Sequence, residues 1–475
     1  MKSAQIKSIS LYAFSVFLMK GFSLITLPLM AYYLLPEQLG QLELIGITTV
    51  FASLVIGLAM HENLYRFIGT VDDEEQQKTI ASKLYYATLL ISLGATTLLV
   101  AVYYAVPVKI ESFSDSILGL MALVLCYEAP LAICLAWLRL QGQAMRFFKI
   151  CTCTVALQFL LLVWALNNSP TVTTVFAINV FCTLSQYLFL HFTIGFSFTL
   201  PTRKVILEYV RYSSPLMLSA VVAFGLSGAE RWIIAGTTDL VTLGMYAIAA
   251  KFALGVGILI QPFHMWWMPK RFHALEQFGR HYTAQITQQG IMLLCFLALI
   301  VAWLSQLFIQ LLLPTNYLLA ASYVSLAIIT MLFKELVELT NLGVLYRKKT
   351  THLLLINLSA TLIAFSLCYF FSDLGIKAIL VALVVGQVVR FVATFWHSQT
   401  LAPLRYQSPS ILGLILLTTL FLFTSGYQNN VELALLMLVL QPLALVAYGL
   451  KAKLIDPDTF KSAFSYLQTY LGKAS

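Results

Sequence analysis

Charge is scarce in this chain. Of its 475 residues 10% are Asp, Glu, Lys or Arg, while 60% are hydrophobic. A soluble domain carries about 25% charged and about 45–50% apolar residues. The deficit excludes an ordinary water-soluble globule and points to a membrane protein. Catalytic signatures are missing as well. There is no G-x-x-x-x-G-K-[ST] loop for ATP phosphates, no H-E-x-x-H and no G-x-S-x-G. No metal or cofactor motif occurs, so no cofactor is expected. All seven cysteines (Cys126, Cys134, Cys151, Cys153, Cys182, Cys295, Cys368) fall in apolar stretches, and "CTC" has neither a redox nor a zinc spacing. Buried, inert thiols are the expectation. Alternating stretches of about 10 residues, the mark of a membrane β-barrel, are absent. The first apolar run passes through "LPLMAYYLL" without a small-residue cleavage pattern, so it reads as a span and not a signal peptide.

Long apolar runs are what the chain has. Segments of about 20 residues suffice to cross a bilayer, and fourteen are read: 8–34, 41–64, 84–107, 117–138, 149–167, 173–199, 212–236, 241–268, 288–313, 319–342, 352–372, 375–397, 410–426 and 431–450. Their backbones must satisfy their own hydrogen bonds in lipid, so all are expected to be helices. The fold class is an all-α polytopic membrane protein.

The net charge of +9 reflects topology and not nucleic acid, for which no basic groove or aromatic-basic motif exists. With the N-terminus in the cytoplasm, 22 of the 29 Lys and Arg fall on the cytoplasmic side. Only Lys109 and Lys377 fall on the other, and five lie inside helices. The positive-inside rule then puts both termini in the cytoplasm. Trp266 and Trp267 precede the basic Lys270 and Arg271 as an interfacial aromatic belt would. The tail from Asp456 repeats apolar residues at helical spacing and is expected to lie on the inner membrane face.

The exported loops are short and nearly bare, which weighs against a membrane enzyme acting on lipid-linked glycans. The longest polar stretch, Arg66–Lys83, is cytoplasmic. Thr199–Pro215 is a basic connector near the middle. "LLPEQLGQLELIGITT" (Leu34–Thr49) and "GTTDLVTLGMYAIAAKF" (Gly236–Phe252) each join a helix end, an acidic turn and a Leu-Gly pair. Leu39-Gly40 and Leu243-Gly244 lie 204 residues apart. Internal repeats of about six helices are common in secondary transporters. The chain is therefore divided at 1–200 (spans one to six), 201–400 (spans seven to twelve) and 401–475 (two further spans and the tail).

Charges inside the spans are the candidate functional residues, because each costs several kcal/mol, from about 2.5 upward, unless it pairs or faces a wet interior. They are Lys20, Glu62, Glu128, Glu230, Arg231, Lys251, Lys334, Glu335, Glu338 and Arg390, with Arg66 at an edge. Lys20, Glu128 and Lys251 fall near the midplane at 1.5 Å per residue. Structural readings stand beside the functional ones. Lys334 and Glu338 can pair at i, i+4, as can Glu62 and Arg66. Lys20 can neutralise Glu128, and Arg390 can snorkel to the inner surface. Glu230 and Arg231 diverge by about 100° on a helix, so they need partners elsewhere. Pro28, Pro130 and Pro215 permit kinks.

In these stretches the chain resembles the Wzx-type polysaccharide flippases of the multidrug/oligosaccharidyl-lipid/polysaccharide (MOP) exporter superfamily. The likeness covers most of the chain. It runs through "GFSLITLPLMAYYLLPEQLGQLEL", "GLAMHENLYRF", "LRLQGQAMRFFKI", "SSPLMLSAVVAFGLSGAERWIIAG", "LGMYAIAAKFA", "MWWMPKRF", "LLPTNYLLA" and "LYRKKT". The resemblance implies two six-helix lobes in a V around a central cavity, plus two C-terminal helices. It implies transport of a polyprenyl-pyrophosphate-linked oligosaccharide across the bacterial inner membrane by alternating access, and no enzymatic activity. Membrane lipids surround it, and a polysaccharide polymerase and chain-length proteins would be its partners. The family usually has Asp-Arg where this chain has Glu230-Arg231. On this reading Lys20, Arg231, Lys251 and Arg390 would bind the anionic substrate. Glu62 with Arg66 would form a gate, and Glu128 and Glu230 would serve coupling. A cation-coupled small-molecule exporter of the same superfamily and a polymerase or ligase of lipid-linked glycans are the alternatives.

Overall fold

The computed structural model describes residues 14, 17–19, 21–68, 71, 73–106, 112–426 and 430–454. Lys20 and the tail from Asp456 lie outside the described residues, as does much of the first expected segment, 8–34. Among the described residues the chain is helical and has no strand. Thirteen helical segments are long and apolar enough to cross a membrane, so this is an all-α, multi-pass membrane protein.

The chain forms two compact units, Met1–Gly244 and Met245–Ser475. The first contains α1 (Leu27–Tyr33), α2 (Pro36–Gly57), α3 (Glu62–Ile68), α4 (Glu74–Ala105), α5 (Asp115–Leu140), α6 (Ala144–Asn168), α7 (Val172–Ile194), α8 (Arg203–Gly225) and α9 (Glu230–Thr237). Helix α10 (Leu240–Trp267) begins in the first unit and continues into the second. The second unit adds α11 (Arg271–Gln277), α12 (Gly279–Leu312), α13 (Ala321–Thr340), α14 (Leu342–Tyr346), α15 (Thr350–Phe371), α16 (Ile376–Leu401), α17 (Ser408–Ser425) and α18 (Val431–Lys451).

Local chemistry sets the ends. Asp73, Ser114, Thr171 and Asn430 each accept a backbone N–H from the first turn of the helix they precede, which satisfies donors that would otherwise be orphaned. Pro36 opens α2, where its missing N–H costs nothing. Inside the spans, Thr49, Thr88, Ser213 and Thr287 turn their hydroxyls back onto the carbonyl four residues earlier, so the buried hydroxyls carry their own acceptors.

Two expectations need correction. Helices α4 and α12 start at Glu74 and Gly279, well before the apolar segments at 84 and 288. Much of the polar stretch Arg66–Lys83 is thus helix. The segment 212–236 is not one helix. It begins earlier, at Arg203, and breaks across Leu226–Ala229. Among the cysteines, Cys153 is exposed and Cys126 half-buried, while the other five are buried; all seven are free thiols.

In the first unit α5 is the central helix, packed by α2, α4 and α7. In the second, α12, α13 and α16 form the core with α15, α17 and α18 outside. In the most apolar stretches of α10, α12 and the span Thr315–Tyr346 that contains α13, 67% of the residues are buried, against 22% in the span that contains α15; α15 is peripheral.

Candidate functional sites

Broken helices mark the first unit. Span α2–α3 is interrupted by Leu58 and Ala59, both with left-handed φ (48° and 50°). Each costs a non-glycine residue roughly 1–2 kcal/mol. Asn63 of α3 steadies the turn by donating to the Met60 carbonyl at 3.2 Å. The α8–α9 break is braced differently. Gly228 tucks under Phe224, whose ring a Cβ at 228 would meet at 2.5 Å. Phe51 of α2 lies 5.2 Å from Phe224 and 4.9 Å from Trp232, and Trp232 Nε1 donates to Thr48 Oγ1 at 3.0 Å.

That break places Glu230 at the first position of α9, where the unpaired N–H groups of a helix start favour an anion. Arg231 Nη1 donates to Glu230 Oε1 at 2.6 Å, and its Nε donates to Glu43 Oε1 of α2 at 2.5 Å. All three side chains are at most 20% exposed. Arg231 does find the expected partner on another helix, Glu43, but it pairs with Glu230 as well, because the guanidinium is long enough to curl back over its own helix start. Arg231 is bracketed by two carboxylates, so the triad is formally anionic. Glu43 escaped sequence reading; its place just inside the apolar segment 41–64 was the available signal.

Glu128 is half-buried on α5 beside Ser53, and its Oε2 has no hydrogen-bond partner among the described residues. It sits two residues before Pro130, inside the same helix. Glu62 and Arg66 do not form the expected pair. Glu62 lies 3.3 Å from His61 Nε2 instead, because the turn that precedes α3 brings His61 alongside it.

The second unit carries a separate set of membrane-embedded charges on α10, α13 and α16. On α13, Glu335 Oε2 lies 3.5 Å from His264 Nδ1 of α10. Gly257 of α10 packs against this carboxyl; a Cβ there would stand in ordinary contact, 3.4 Å from Glu335 Oε1. One turn further along α13, Glu338 Oε1 lies 3.7 Å from Arg390 Nη2 of α16. Arg390 also donates through Nε to Asn357 Oδ1 of α15 at 2.7 Å and through Nη1 to Gln387 Oε1 at 3.4 Å. Its side chain is 12% exposed, so it turns into the helix bundle and does not snorkel. Asn341 Nδ2 donates to Glu338 Oε2 at 3.2 Å. Arg271, outside the spans on α11, is buried and donates to Asn341 Oδ1 at 3.0 Å and to the Glu338 carbonyl at 3.2 Å. Burial pushes its guanidinium below the ordinary arginine value, and Glu338 opposes that shift. Lys251 is half-buried on α10, and Lys334 half-buried beside Glu335. The buried and half-buried charged side chains on α10, α11, α13 and α16 are thus four cations (Lys251, Arg271, Lys334, Arg390) and two carboxylates (Glu335, Glu338), with Glu276 and Lys377 exposed. His264 and Arg271 were not singled out from sequence, since both sit where interfacial or cytoplasmic charge was expected. No group of three or more His, Cys, Asp or Glu side chains that could hold a metal occurs among the described residues.

No family model matches the chain, and no curated protein sequence matches it. Solved structures do. An inward-facing multidrug-resistance MATE-family transporter of the MOP superfamily aligns with TM-score 0.59 at 15% identity, covering 80% of this chain and 94% of that one. A MATE protein in its straight conformation aligns with TM-score 0.54 at 15% identity, over 83% and 95%. A MOP superfamily transporter from Pyrococcus furiosus, described as having a binding pocket of reversed polarity, aligns with TM-score 0.51 at 14% identity, over 83% and 95%. What is shared at this identity is the fold: the chain is built like the MATE transporters of that superfamily.

Proposed function

We propose that this chain is a MOP-type transporter, not an enzyme, and that it carries a polyprenyl-pyrophosphate-linked oligosaccharide across the bacterial inner membrane by alternating access. The observation that carries the reading is the surplus of buried and half-buried cations on α10, α11, α13 and α16. Several lysines and arginines inside spans are too costly to keep for packing alone, and a pyrophosphate is the ligand that such groups recognise best through charge-assisted hydrogen bonds. Lys251 and Arg390 are the proposed substrate contacts, with Lys20 as a third. Arg231 is reassigned from substrate binding to the coupling group with Glu43 and Glu230. Glu128, one of whose oxygens has no hydrogen-bond partner among the described residues, is the proposed proton-accepting carboxylate.

The test is complementation of a flippase-deficient strain at equal expression. Lys251→Ala is expected to lose surface polysaccharide and Lys251→Arg to retain a substantial part of it. Full display by the Ala variant would remove Lys251 from the mechanism. A second reading, cation-coupled export of small molecules, draws on the acidic Glu43–Arg231–Glu230 triad and on the likeness to multidrug transporters. Robust export of cationic dyes by proteoliposomes, without movement of lipid-linked glycan, would favour it.

A further inference from the structure

A cavity of about 420 Å³ opens between α15 and α16, lined by His352, Leu355, Ile356, Ala393, Trp396, His397 and Thr400. It belongs to none of the charged sites described above. The spacing explains its layout. His352, Leu355 and Ile356 share one stripe of α15; Ala393, His397 and Thr400 share one of α16. The histidines stand near the first turn of α15 and the last turns of α16, at one end of both spans. Their rings lie 4.6 Å apart, and His352 Nδ1 is 2.5 Å from His397 Nε2. One proton lies between those two nitrogens, and each ring keeps a second nitrogen for another partner.

The rim of this end is basic. Arg347, Lys348 and Lys349 are exposed in the turn before α15, and Arg347 Nε donates to the Leu401 carbonyl at 3.1 Å, which holds the turn over the end of α16. No carboxylate lines the cavity. Beneath the histidines the walls are apolar, with Leu355 58% and Trp396 72% exposed. An indole at this level is at home in the interfacial belt of a bilayer.

We infer that this cavity is a binding site for an anionic glycerophospholipid. The histidine pair and the basic turn hold its headgroup phosphate, and Leu355, Ile356, Ala393 and Trp396 hold the start of an acyl chain. The charge complementarity is one-sided, cations above and hydrocarbon below. Free phosphate would leave the apolar walls unused, and a neutral lipid would leave the cations unused.

The test uses the full-length protein in vesicles containing acyl-brominated phosphatidylglycerol or brominated phosphatidylcholine at equal low mole fraction. Quenching at the site is the difference between the wild-type protein and Trp396→Phe. Phosphatidylglycerol is expected to quench more strongly. The double variant Lys348→Gln/Lys349→Gln, in the exposed turn, should reduce that preference at least about five-fold, the worth of one interfacial cation. His352→Leu/His397→Leu, which removes the ring N–H groups offered to the phosphate, should reduce it as well, and elution as a monodisperse species confirms folding. Equal quenching by the two lipids, or an undiminished preference in the folded histidine variant, overturns the proposal. Loss of quenching on adding inorganic phosphate overturns it in favour of a free anion. A preference abolished by chelator and restored by zinc overturns it in favour of a metal.

Discussion

Arg231 shows how much one side chain can decide. Flanked by Glu43 and Glu230 in a setting at most 20% exposed, it keeps two carboxylates from facing each other unneutralised. Arg231→Ala should destabilise the protein by about 3–5 kcal/mol, since breaking a buried pair leaves charge uncompensated. Thermal unfolding of the purified protein in detergent reads this as a lowered midpoint. Adding Glu43→Gln to Arg231→Ala should recover part of the loss, because it removes one of the stranded charges. An unchanged midpoint in the single variant would mean that water reaches the triad freely. At this scale the sequence was half legible. Apolar surroundings marked Glu230, Arg231, Lys251, Glu335, Glu338 and Arg390 as costly charges, which needs no tertiary information. Their partners were not legible. Glu43 is 188 residues from Arg231, and Asn357 is 33 from Arg390; no local spacing rule joins such pairs. Where local rules were applied they misled, as with Glu62 and Arg66: both lie on the regular helix α3 at i, i+4, yet Glu62 meets His61 instead.

At the scale of the element, the Leu-Gly pairs acquire a physical meaning. Pro36 and Leu240 open α2 and α10, and they are separated by the same 204 positions as Gly40 and Gly244. The first turns of these helices, both in the first unit, touch backbone to backbone. A Cβ on Gly40 would stand 1.9 Å from the Leu240 carbonyl oxygen, and one on Gly244 would stand 1.9 Å from that of Pro36. Gly40→Ala must therefore part the two helices, at a cost of about 1–3 kcal/mol as for other overpacked contacts. Gly46→Ala, one and a half turns along α2 and with nothing within 4 Å of its new methyl, should be neutral or gain about 0.5–1 kcal/mol from helix propensity. Unfolding midpoints that fall for the first and not the second would bear this out; equal midpoints would refute the close approach. Most of the spans were readable from apolar length, while the polar first turns of α4 and α12, which start at Glu74 and Gly279, were not. The α8–α9 break was not, because "LSGA" differs little from other small-residue stretches in membrane helices, and only the Phe51–Phe224–Trp232 packing shows that the chain turns there.

For the whole molecule, the distribution of Lys and Arg predicts an orientation that labelling can check. In intact cells of a variant whose native cysteines are replaced by Ser, a cysteine introduced at Lys348 should be inaccessible to an impermeant maleimide until the membrane is opened. One introduced at Asp373, at the other end of α15, should react at once. The reverse pattern would invert the topology and place the cation-rich turn outside.

The sequence by itself determined that this is an all-helical, many-span membrane protein and marked most of the charges inside it, Glu43 excepted. That much is local: in hydrocarbon every peptide group must bond within its own helix, and apolar length alone decides which stretches enter. Only the tertiary structure decided which charge meets which, where Arg231 finds two carboxylates and Arg390 turns inward to Glu338 and Asn357. Those contacts depend on how helices distant in the chain cross and where they break, and side-chain reach across a helix crossing is set by packing, not by spacing along the chain.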